Sequence, residues 1–215
     1  MNNKSLWKRI LKVVLWIVGI IILLLAIGVF FRAPVITERA KTEQAVAQIH
    51  AERLTLDDVM GKNLPPKPDQ ATNDATLAGI DANHNGIRDD VELAVFKMYP
   101  NSARIRAAEL QYAMELQNEM TPLVFNSGTL AAVAQEESRG DLCISYTEPE
   151  VSLSNTRAEI QAAFAIGAAR SKEVKDFMLN TPARLQKRAQ DYQYMTSVVL
   201  QSDSPCDIDP TTLQN

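Results

Sequence analysis

Residues Asp81 to Glu92 read D-A-N-H-N-G-I-R-D-D-V-E, and the rest of the chain is best read outward from them. Side chains bearing oxygen stand at positions 1, 3 and 5 of this stretch, as Asp81, Asn83 and Asn85, with Asp89 at position 9 and Glu92 at position 12. Alternate residues of a tight loop point inward, so the first three can meet one ion. Gly86 at position 6 permits a backbone angle that a side chain would penalise. The carbonyl of Ile87 supplies a position-7 oxygen. Glu92 can reach back with both carboxylate oxygens from the first turn of an outgoing helix. A loose shell of roughly six to eight oxygens is what calcium, a hard cation, takes. The competing reading is an Asx-rich turn that only caps the following helix. That reading gives no reason for a glutamate at position 12.

The stretch resembles the EF-hand calcium loop, and more closely its bacterial and thrombospondin type-3-like variants, which read D-x-[DN]-x-[DN]-G-I-x-D-x-x-E. The resemblance covers a dozen of the 215 residues. It implies calcium as cofactor, with Asp81, Asn83, Asn85, the Ile87 carbonyl, Asp89 and Glu92 as ligands. Three features differ from the ordinary EF-hand. Its apolar residue stands at position 8, here Arg88, whereas this loop has Ile87 at position 7. The incoming Thr76–Ile80 is too short and glycine-interrupted for a full helix. No second loop is present.

The start of the chain reads as an anchor. Lys4, Lys8, Arg9 and Lys12 crowd residues 1–12 with no acid among them, and residues 13–31 carry no charge. Nineteen such residues suffice to cross a bilayer as one helix. Trp7, Trp16, Phe30 and Phe31 suit its two interfaces, and the positive flank predicts a cytoplasmic N-terminus with the bulk of the chain periplasmic or extracellular. A cleaved signal peptide, cut near Ala26-Ile27-Gly28, is the alternative. Both readings put the domain outside the cytoplasm.

About 180 residues remain after that segment, enough for a domain with a real core. The net charge of −4 includes the basic N-terminus, so the remainder is more acidic still, which argues against a nucleic-acid partner. The two cysteines, Cys143 and Cys206, both follow the anchor, and an even count in an exported chain predicts a disulfide. Two buried thiols are the alternative.

Periodicity is helical nearly throughout. Residues 32–60 read as a helical stalk, with Thr37–His50 a polar helix and Thr55 capping a turn over Leu56–Met60. Residues 61–76, with Pro65, Pro66 and Pro68, read as a linker. Residues 77–215 form the loop-bearing domain. Its helices are expected over Asp90–Tyr99, Ala103–Met120 (apolar line Ile105, Ala108, Tyr112, Leu116, Met120) and Thr129–Ser138, stopped by Gly140. A strand-like run follows over Leu142–Tyr146. Further helices start at the capping box Thr156–Glu159, at Ser171, and at Thr181-Pro182. The last should bury Leu185, Ala189, Tyr192, Thr196 and Val199. The whole is an all-α fold, with an N-terminal transmembrane helix followed by five or six helices.

No nucleophile, zinc or phosphate-loop motif is present. The two histidines, His50 and His84, read as solvated or structural residues. The expected function is that of a membrane-anchored envelope protein, a binding or structural module stabilised by calcium, with an envelope protein or cell-wall partner and no catalytic residues. A membrane-tethered hydrolase acting on cell-wall material is the alternative, with Glu136-Glu137 or Glu148/Glu150 as its carboxylate pair. A calcium-responsive regulator is another.

Overall fold

The computed structural model describes residues 3–147, 156–193, 195 and 204–214. The chain divides into two compact units, Met1–Gln44 and Ala45–Asn215. Helix α1, Asn3–Ala51, supplies nearly all of the first unit. Every described side chain from Trp7 to Lys41 is exposed. By length and composition this apolar helix can cross a membrane or act as a signal anchor. The polar helix expected over Thr37–His50 is not separate. Pro34 costs a hydrogen bond but does not interrupt α1.

The second unit is all-helical among its described residues. Its elements are α2 (Leu56–Val59), α3 (Gln70–Asp74), α4 (Asp89–Met98), α5 (Ala103–Glu119), α6 (Ser127–Tyr146), α7 (Arg157–Met178), α8 (Pro182–Tyr192) and a 3-10 turn, Pro210–Thr212. Starts are set by side chains that accept from orphan amides of the first turn. Thr55, Asp69, Ser102, Asn126, Thr156 and Thr181 each do this. The unit takes in Leu54, Val59 and Asn73, all buried, from the stretches that the sequence assigns to stalk and linker.

Helix α5 is the axis of the unit. It packs against α2, α4, α6, α7 and the 3-10 turn. Ala108, Tyr112, Leu116 and Met120 lie in the core as their spacing predicts. Yet 15 of its 17 residues are buried, including Glu109, Glu115 and Glu119. The acids that a helical wheel assigns to solvent are instead met by arginines. Arg170 donates to Glu109 at 2.6 Å, Arg139 reaches Glu115 at 2.9 Å, and Arg188 donates to Glu119 at 2.5 Å. Buried carboxylates demand such partners.

Four further expectations are corrected. Gly140 does not stop a helix and Leu142–Tyr146 is not strand-like, because α6 runs unbroken from Ser127 to Tyr146. Gly140 serves a close approach instead: a Cβ there would lie 1.9 Å from Glu115 Oε2 and 3.0 Å from the Tyr112 Cα. No new helix starts at Ser171, since α7 continues through it. Finally, α8 does not bury its apolar face. Leu185 is 54% exposed, Ala189 and Tyr192 are exposed, and the buried residue is Arg184. Thr196 and Val199 lie outside the described residues. Cys143 and Cys206 are joined as predicted.

Candidate metal centre

Local hydrogen bonds build the loop before any ion is considered. The Asp81 carboxylate accepts from the amides of Asn85 (3.2 Å) and Gly86 (3.0 Å). Asn85 Oδ1 accepts from the Ile87 amide at 3.0 Å. Asp89 Oδ1 accepts from the Ala82 amide at 2.9 Å. These bonds curl the chain around the side chains of positions 1, 5 and 9. Gly86 has φ +80°, the left-handed angle that its position requires, and His84 at φ 58° is the only described non-glycine residue with positive φ. His84 is exposed, as its place at position 4 predicts. The Ile87 side chain is fully buried and fixes the loop to the core, leaving its carbonyl as the candidate ligand.

Asp89 and Glu92 begin α4, and both are 1% exposed. Burial raises the pKa of each above the ordinary carboxylate range. For Glu92 it prevails over the Asn83 hydrogen bond and carries the value to about 7. For Asp89 it prevails over the Ala82 amide, and the nearby Asp81 charge adds to it. Two buried oxygens here, Asn83 Oδ1 and Asp89 Oδ2, have no hydrogen-bond partner. Such atoms are costly, and a cation would supply the partner that Asp89 Oδ2 lacks. The donor set, all oxygen and half of it neutral, suits a hard ion.

The ligands are not gathered around a single point. Asn83 turns its amide nitrogen to Glu92 Oε2 (3.0 Å) and to the Asn63 carbonyl (2.9 Å). Among the described residues no three His, Cys, Asp or Glu side chains converge as metal ligands would. To use its oxygen at this site, Asn83 must turn its amide over.

The carboxylates of the hydrolase reading separate into different networks. Glu136 faces His50 Nδ1 at 2.6 Å and Arg139 at 2.8 Å. Glu137 faces Arg188 at 2.6 Å and Tyr192 at 2.7 Å. Glu148 and Glu150 lie outside the described residues.

Sequence reasoning missed Arg88. Position 8 is a buried position, which is why the ordinary loop has an apolar side chain there. Here a fully buried arginine fills it, satisfied by Asp90 and by the carbonyls of Phe177 and Met178. The signal was present in the sequence as a departure from the apolar pattern. Compared with protein-family models, characterised proteins and solved structures, the chain matches none.

Proposed function

We propose that the loop from Asp81 to Glu92 binds one calcium ion, and that the chain is a membrane-anchored envelope protein whose helical domain the ion stabilises. The observation that carries this reading is the buried, unpartnered Asp89 Oδ2, with the buried Glu92 carboxylate on the same first turn of α4. The domain then serves as a binding or structural module. The disulfide supports an oxidising compartment.

Only three of the ligands are charged, and no partner loop stiffens them. Affinity is therefore modest, with a Kd of roughly 10⁻⁵ to 10⁻³ M. At a Kd of about 10⁻⁴ M and about 10⁻³ M free calcium, linkage adds about 1.4 kcal/mol. That raises the melting temperature of the full chain in detergent by about 4 °C over a chelator control. Magnesium should do much less, being smaller and reluctant to accept a seven-oxygen shell. Glu92→Gln should abolish most of the gain, and His84→Ala should keep it. A wild-type curve indifferent to millimolar calcium, with no heat of binding by calorimetry, reduces the loop to a capping turn.

The orientation rests on Lys4, Lys8, Arg9 and Lys12 flanking the apolar segment. A reporter fused after Asn215 should be active only outside the cytoplasm. Activity of a cytoplasm-only reporter at that end refutes the topology.

A further inference from the structure

Arg88 and Arg184 are among the largest fully buried side chains of the described residues. Together they tie both ends of the loop to the corner between α7 and α8. Arg88, within the loop, donates to the carbonyls of Phe177 (2.6 Å) and Met178 (3.1 Å) at the end of α7. Arg184, in the first turn of α8, donates to the carbonyls of Asn73 (2.8 Å), Thr76 (3.1 Å) and Leu77 (2.9 Å), which lead into the loop. Asp74 and Asp90 balance the two charges. The packing is tight: a Cβ on Gly79 would lie 2.3 Å from Arg88 Cδ. The rest of α8 offers little apolar grip, with Leu185 54% exposed. Beyond Arg184, further hydrogen bonds tie it to the domain, from Arg188 and Tyr192 to Glu119 and Glu137.

An element held by arginine heads rather than by an apolar face can detach without opening the core. Arg184 can hold α8 only while residues 73–77 present three carbonyls in a fixed array. An ion in the loop would fix the segment that follows, between Asp81 and Glu92. We propose that ion occupancy of this loop is coupled, through Arg88 and Arg184, to the docking of α8 on the domain. This rests on the calcium reading above. The coupling is reciprocal, so a docked α8 also tightens the ion site. Lifting α8 withdraws Arg188 from Glu119 and Glu137, so the face it uncovers is acidic.

The test is hydrogen exchange on the full chain in detergent micelles, in 1 mM calcium or in chelator, beside calorimetry with calcium alone. Peptides from Pro182–Tyr192 should exchange up to about tenfold more slowly with calcium, the limit set by linkage at a Kd of about 10⁻⁴ M. They should do so at times before α5 exchanges. Arg184→Lys keeps the charge but loses the planar fork. It should weaken calcium binding several-fold and remove the calcium effect on α8, whereas Leu185→Ala should change neither. If Arg184→Lys fails to fold, the wild-type pair of measurements decides alone. A heat of calcium binding with α8 exchange unchanged overturns the coupling and leaves the ion site standing. No heat of binding removes both.

Discussion

Cys206→Ser is expected to lower the melting temperature of the full chain by about 10 °C under oxidising conditions. The Cys143–Cys206 bridge closes a sequence separation of 63 residues. Loop entropy assigns such a bridge about 4 kcal/mol, and for a unit of this size each kcal/mol moves the transition by about 2–4 °C. The bridge also holds a segment that completes the core. Pro205 O accepts from Gln111 at 2.8 Å, and the Asp207 amide donates to Gln111 at 2.8 Å. The Asp207 carboxylate accepts from Arg139 at 2.7 Å and from the Leu54 amide at 2.9 Å. The measurement is a pair of melting curves, with and without reductant, for wild type and variant. Reductant should bring wild type down to the variant and leave the variant unmoved. A wild type that ignores reductant, with both cysteines open to alkylation after denaturation, would remove the bridge from the account.

Arg188→Met should cost about 3–5 kcal/mol at pH 8 and less at pH 5. The guanidinium is shared between two acids that it serves unequally. Burial raises Glu137, but hydrogen bonds from Arg188 and Tyr192, with the Lys175 charge, outweigh it and hold Glu137 below the ordinary carboxylate range. Burial of Glu119 outweighs Arg188 and lifts its pKa from 4.5 to about 7. A raised folded value means that the folded state keeps a proton which the unfolded chain has released. This contribution to stability is fully present below about pH 4.5 and is lost as pH rises through about 7, a change of about 3 kcal/mol. Without Arg188 the folded value climbs further, so the loss deepens above pH 7, while at pH 5 the carboxyl is already neutral. Denaturant titrations at the two pH values measure the difference. Equal losses at both would mean that Arg188 acts through Glu137 or through packing, and not through the ionisation of Glu119.

Helix starts were the most legible part of the fold. Thr55, Ser102, Thr156 and Thr181 announce themselves because capping is local chemistry, settled within four residues. The disulfide was legible because two cysteines allow one pairing. Gly140 was misread because a helix stop and a close approach use the same residue. Only Glu115 and Tyr112, far away in sequence, distinguish them. The face of α8 was misread for a related reason. Periodicity records where apolar residues recur, and α8 is held by Arg184 and Arg188. The same blindness hid Glu109, Glu115 and Glu119, since a buried acid looks like a solvated one until its arginine is placed. In the candidate site, spacing named the oxygens and the turn glycine. It could not tell that Asn83 would present its nitrogen to Glu92, because amide orientation is decided by neighbours such as Asn63.

The pairing along α5 also has a direction in time. Glu109, Glu115 and Glu119 precede Arg139, Arg170 and Arg188, which neutralise them from α6, α7 and α8. A chain that emerges N-terminus first presents all three acids before any of their counter-ions exists. Its central helix must stay hydrated while the remaining helices are made. Asp207, later in the chain than all of them, supplies a further buried carboxylate. The interior of this domain can therefore close only after residue 207 has been made.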